Sequence, residues 1–146
     1  MWCFAAEGSA EFMSYCSGDE YVDWWSIDLF SQGNMQDTRT IVFLDSSLVH
    51  KKPVLIGEST PKKVSFQGGE DSWNRWFKPY FNLTHNYPNI KDFSYINWDW
   101  NKTSWSDWGD GRVDANPIIH HRFVEELKSG LYLHGFKNNK LKKYLR

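Results

Sequence analysis

Apolar and polar positions along this chain alternate between two rhythms, short dense apolar runs and longer stretches in which apolar residues return every three or four positions. The first rhythm marks buried strands and the second amphipathic helices, so their alternation is the pattern of repeated βα units. Residues 2–5 read as the end of a strand. Residues 21–30, rich in β-branched and aromatic side chains, predict a strand buried on both faces, whose carboxylates Asp23 and Asp28 then need partners. Trp24 and Trp25 fall in its middle, one facing inward and the other toward the helices. Residues 37–49 predict a helix capped by Asp37 or Thr38, with Val42, Phe43, Leu44, Leu48 and Val49 as its apolar face. The run Val54-Leu55-Ile56, bounded by Pro53 and Pro61, predicts a strand that ends at Glu58.

Beyond it, Trp73, Trp76, Phe77, Tyr80 and Phe81 fall at the spacing of one helix face, which assigns them to packing on a sheet and not to a ligand. Residues 90–97 predict a further strand, with Tyr95 in the core. It leads into the segment 98–112, a polar, glycine-containing loop carrying Trp98, Trp100, Trp105 and Trp108, which cannot all be core. Asn116 as cap and Pro117 at the first position open a last helix, lined by Ile118, Ile119, Phe123, Val124 and Leu127 and stopping before Gly130. Residues 1–136 thus form one α/β domain, and 137–146 a basic tail. With about four strands and three helices, the chain is half of the roughly 250 residues that a closed (β/α)8 barrel requires.

Composition narrows the partners. At 146 residues and a net charge of −1, the chain has no field to recruit nucleic acid or an anionic membrane. Its mean hydropathy of −0.64 is that of a soluble chain, and no signal peptide or membrane span is legible at its start. Nine tryptophans exceed what a core of this size needs, so some of the rings face a ligand. Cys3 and Cys16 lack metal spacing and read as small buried side chains. His120 and His121 have no third ligand at metal spacing, and no metal or cofactor is expected. Asn82-Leu83-Thr84 and Asn101-Lys102-Thr103 match the glycosylation acceptor pattern, which arises often by chance.

The chemistry centres on Glu58, a lone carboxylate delivered by an apolar strand into a polar mouth, where barrel enzymes keep catalytic groups. The plainer alternative is that Glu58 caps the following turn or pairs with Lys62 or Lys63. Four blocks, residues 18–30, 52–61, 93–100 and 105–116, resemble in order and spacing the C-terminal half, about strands five to eight, of a retaining (β/α)8 (TIM) barrel glycoside hydrolase of family 26, the β-mannanases and related endo-β-glycanases. The resemblance implies that Glu58 is the catalytic nucleophile and that Trp98, directly after strand eight, is a platform under the reactive sugar. Asn97 and Asp99 beside it could bind hydroxyls, and Asp28, Trp100, Trp105 and Trp108 are further cleft candidates, with at least one of these indoles pinning the loop and with Asp28 equally able to hydrogen-bond neighbouring backbone instead.

A retaining glycosidase needs a second carboxyl group, which this family places at the end of strand four. Glu7, Glu11 and Glu20 lack that setting. The resemblance therefore implies a fragment that is inactive alone, binds a polysaccharide such as mannan, and pairs with an N-terminal half-barrel. An isolated half-barrel would expose strand edges and an apolar interior. Secretion of the parent is a family expectation. The same aromatic loop also fits a non-catalytic carbohydrate-binding protein in which Glu58 is structural.

Overall fold

The computed structural model describes residues 1–5, 11–64 and 66–132. Glu7 and the tail 137–146 lie outside the described residues. The chain is mixed α/β, built on a four-stranded parallel sheet in the order β1 (Trp2–Ala5), β2 (Trp25–Ser31), β3 (Val54–Lys62) and β4 (Ile90–Phe93). All strands run parallel, so their carboxyl ends gather along one edge. The helices are α1 (Thr38–Val49), α2 (Glu70–Ser72), α3 (Lys78–Asn86) and α4 (Pro117–Lys128). A π-helical stretch, Trp73–Phe77, joins α2 to α3 without a break. No described helix is long and apolar enough to cross a membrane.

Register decides what each face of the sheet carries. Trp2, Trp25, Val54 and Ile90 share one row, and Ile27, Ile56 and Phe93 another. These rows lie under the helices: Trp25, Ile27, Val54 and Ile56 are fully buried, with Trp25 against Phe43 of α1 at 5.4 Å between ring centroids. The intervening row, Cys3, Ser26, Leu55 and Asp92, lies on the opposite face. The expected burial of β2 on both faces holds at its start, where Ser26 on the opposite face is as fully buried as Trp25 and Ile27, and Asp28 is half-buried; in place of an all-apolar interior, that face sets Leu55 among small and polar side chains. Cys3 is exposed and both cysteines are free thiols, against the expectation of buried ones.

Several boundaries move for identifiable reasons. β2 begins at Trp25, not at residue 21, because a turn precedes it in which the Tyr21 amide donates to the Gly18 carbonyl at 3.1 Å. Trp24 consequently lies ahead of the strand and is 38% exposed, and Asp23 is solvated and needs no partner. β2 ends where buried Asn34 takes the amides of Phe30 and Ser31 at 2.9 and 2.6 Å. β3 continues past Glu58 to Lys62, and Pro61 is accommodated at an irregularity opposite Leu29 and Ser31, where a ladder donor is not required. β4 stops at Phe93, although the amides of Ser94 and Ile96 still donate to the Ile56 and Ser59 carbonyls, both at 2.8 Å.

Helix α1 is capped as expected, the Asp37 side chain accepting from the Arg39 amide at 2.8 Å. Its buried positions are Thr40, Phe43, Leu44 and Ser47, a spacing that turns Val42, Leu48 and Val49 to solvent instead of onto the sheet. The aromatic stripe packs as predicted, with Trp73, Trp76, Phe77, Tyr80 and Phe81 all buried. Trp76 stacks on Tyr80 at 4.8 Å and its indole N–H donates to the Phe30 carbonyl at 2.9 Å, tying the helix to the end of β2. In α4, Ile119 is buried, but Ile118 is 43% exposed, lying over the cap of α2 at Gly69. Tyr95 packs between Phe77 and Phe123, which confirms its core role.

Trp76→Ala removes a fully buried indole and its hydrogen bond, and should cost about 3–5 kcal/mol in urea unfolding, whereas Ile118→Ser should stay within about 0.5 kcal/mol. The Asp37 carboxyl is held down to about 2 by the hydrogen bonds from Arg39. Its folded value lies below the unfolded one, so the contribution is complete above the ordinary carboxylate range and is lost as pH falls through about 2. Circular dichroism from pH 5 to pH 2 should show α1 weakening at the acid end, less so in Asp37→Asn.

Candidate active site

Glu58 owes its setting to an irregularity in the sheet. Ile27 pairs with Ile56, but the next residue of β2, Asp28, pairs with Glu58, so Gly57 is an extra residue in β3. That arrangement is a β-bulge, which bends the strand and redirects the side chain beside it. A Cβ at Gly57 would lie 2.5 Å from Ser26 Oγ and 3.0 Å from Asp28 Oδ1, so the two strands close up here because residue 57 has no side chain. Glu58 is exposed, on the side of the sheet away from the helices' core, and its amide donates to Asp28 Oδ1 at 3.1 Å.

Asp28 is the junction of three strands. Besides the Glu58 amide it accepts from the thiol of Cys3 on β1, with Sγ at 3.7 and 3.6 Å from its two oxygens. Burial pushes the Asp28 carboxyl above its ordinary value, and the charge of Glu58 adds to the effect; the Cys3 and Glu58 hydrogen bonds oppose it. Asp28 and Glu58 project from neighbouring strands, so both approach a ligand from the same side.

The segment after β4 is a folded hairpin, closed at its base by several bonds. Asn97 Oδ1 accepts the Val113 amide at 2.8 Å, the Tyr95 hydroxyl donates to the Gly111 carbonyl at 2.6 Å, and the Gly111 amide donates to the Trp98 carbonyl at 2.9 Å. Asp99 Oδ1 takes the Asn101 amide at 3.2 Å and its side-chain N–H at 3.0 Å, and Asp99 also bridges backbone with Asp110. Gly111 lies against β3 so closely that a Cβ would be 2.6 Å from Thr60 Oγ1, which brings the loop onto the strand that carries Glu58.

The four indoles divide. Trp100, Trp105 and Trp108 pack on one another, at 5.7, 5.2 and 5.5 Å between centroids, the Trp105–Trp108 pair nearly parallel. Trp108 also meets Phe30 of β2 at 5.1 Å, and the Lys62 ammonium lies 4.9 Å from its ring centroid. Trp100 and Trp108 are half-buried within this cluster, whereas Trp98 is 56% and Trp105 54% exposed. Glu58, Trp98 and Trp105 therefore present free surface, Asp28 serves the Glu58 backbone, and Asn97, Asp99, Trp100 and Trp108 hold the loop. Sequence alone does not single out Gly57 and Phe30, and it reads Cys3 and Lys62 otherwise, as a buried thiol and as an alternative partner of Glu58; a glycine inside an apolar strand, next to an acid, is the signal for Gly57.

Asn97→Ala leaves the Val113 amide without its acceptor and should cost about 1–3 kcal/mol. Hydrogen exchange at residues 98–112 should accelerate while the amides of β2 and β3 stay protected.

No family model matches the chain. It is 26% identical over 157 residues to a protein of an Alcaligenes species named beta-1,3-xylanase, the alignment covering 90% of this chain and 33% of that protein. It is likewise 26% identical over 157 residues to beta-1,3-xylanase TXYA of a Vibrio species, covering 90% of this chain and 34% of the relative. The chain thus spans about a third of the length of the relatives it matches. Both names are those of glycoside hydrolases, and the similarity is to that class; neither name carries family 26 or mannan.

Proposed function

We propose that this chain forms the nucleophile side of a retaining polysaccharide hydrolase, the C-terminal half of a family 26-type (β/α)8 barrel, with Glu58 as the attacking carboxylate. The observation that carries the reading is the exposed Glu58 on the carboxyl side of a parallel sheet, held by a bulge beside a loop that presents Trp98 and Trp105. The sequential strand order, each strand beside its predecessor, supports the barrel assignment.

In the proposed reaction, the Glu58 carboxylate attacks the anomeric carbon while a second carboxyl group protonates the departing oxygen, the two standing roughly 5 Å apart on opposite sides of the bond. Asp28 does not fit the second role, because it rises from the neighbouring strand on the same side as Glu58 and has an oxygen committed to the Glu58 amide. The acid comes from an N-terminal half-barrel across the cleft. Trp98 offers an indole face to the apolar side of a sugar ring, and Trp105 extends the platform. The names of the relatives move β-1,3-linked xylan ahead of mannan as the glycan.

The test is reducing-sugar release from β-1,3-xylan, mannan and mixed-linkage β-glucan, by this chain and by the protein extended through the upstream reading frame. Hydrolysis by the extended protein, lost by roughly 10³-fold or more in Glu58→Gln and reduced through KM in Trp98→Ala, is the expected result. This chain alone should release no sugar. Glycan binding that survives Glu58→Gln, without hydrolysis by any form, would instead make the exposed indoles a binding surface and Glu58 structural.

A further inference from the structure

We propose that Asp28 is the positioning residue for Glu58: from β2 it takes the Glu58 amide proton and thereby fixes the direction in which that carboxylate leaves the sheet. The inference rests on the reading of Glu58 as nucleophile for its catalytic consequence, but not for its geometry.

A glutamate side chain is long and rotatable, so its tip can be placed reproducibly only if the bond from Cα to Cβ is held. At residue 58 that bond follows a bulge, where the regular ladder is interrupted and the backbone is free to settle at more than one angle. Two features remove that freedom. Gly57 lets β3 approach β2 until no Cβ would fit beside Ser26 Oγ and Asp28 Oδ1, and Asp28 Oδ1 then accepts the Glu58 N–H at 3.1 Å. A carboxylate is a stronger acceptor for this amide than a neutral oxygen.

Asp28 is itself held. The Cys3 thiol reaches both of its oxygens from β1, so a chain of contacts runs from β1 through Asp28 to the backbone of Glu58. A substrate hydroxyl could meet only what this arrangement leaves of the carboxylate. The raised Asp28 carboxyl, which follows from burial and from the neighbouring Glu58, fits a group shielded beneath the cleft floor.

The experiment compares Asp28→Ala, Asp28→Asn and Glu58→Gln in the extended protein, using two readouts. The first is the amide signal and hydrogen exchange of Glu58 in ¹⁵N-labelled protein. Asp28→Ala should shift that amide and speed its exchange, and Asp28→Asn, which keeps an acceptor oxygen in place, should restore most of both. The second is glycan hydrolysis, where Asp28→Ala should lower kcat roughly 10- to 100-fold with KM little changed, the penalty of a misplaced reacting group, and Asp28→Asn should recover most of the loss. A Glu58 amide unmoved in Asp28→Ala overturns the proposal. So does a rise in KM at constant kcat, which would make Asp28 a substrate contact. If the wild type hydrolyses nothing, the nucleophile reading fails, and the amide shift alone decides whether Asp28 holds the Glu58 backbone.

Discussion

The close approach of β2 and β3 at Gly57 is the constraint on which the rest of this structure depends. These are the two central strands, and below the bulge they pair through Trp25 with Val54 and Ile27 with Ile56, all without solvent exposure. A regular ladder continued upward would send residue 58 to the helix side. The extra residue restores Glu58 to the row of Asp28, and Ser59 takes the helix side, where its hydroxyl meets the Tyr80 hydroxyl at 3.0 Å and donates to the Ser94 carbonyl at 2.7 Å. One glycine thereby separates a packing residue from an exposed acid.

The sheet is strongly two-sided. Toward the helices it presents an aromatic and aliphatic surface matched by Phe43, Leu44, Trp76 and Tyr80, and burial of such side chains supplies most of the driving force for folding. The opposite face sets Leu55 among small and polar side chains, Cys3, Ser26, Asp28 and Asp92. Its exposed positions, Cys3, Glu58 and Asp92, are polar and carry none of the penalty that an exposed apolar interior would. Its acids can be linked to each other's backbone, as half-buried Asp28 is to exposed Glu58.

The tryptophan-rich loop follows a different principle. It contributes little to the main core, yet its three packed indoles, the Asn97 clasp and the contact of Gly111 with β3 give it a fixed shape. Ion pairs at its rim, Lys63 with Asp107 at 3.1 Å and Arg112 with Asp110 at 2.7 Å, are exposed and add little. Ring packing and backbone closure hold Trp98 and Trp105 outward on a rigid base, and a rigid platform loses less freedom when it meets a ligand.

What the sequence by itself determined is local. The Asp37 and Asn116 caps, Pro117 at a helix start, the aromatic stripe from Trp73 to Phe81 and the β-branched runs of β2 and β3 are all legible, because each expresses its preference within a few residues. Glu58 could be singled out for the same reason, as an acid after an apolar run. Tertiary structure alone decided that β3 does not end there but bulges, that Asn97 clasps Val113, that Trp100 and Trp108 are half-buried while Trp98 and Trp105 stay exposed, and that Cys3 and Asp28 meet. The bulge is set by the register between strands, and the Asn97–Val113 and Cys3–Asp28 contacts join residues at separations of 16 and 25, so no periodicity along the chain records them.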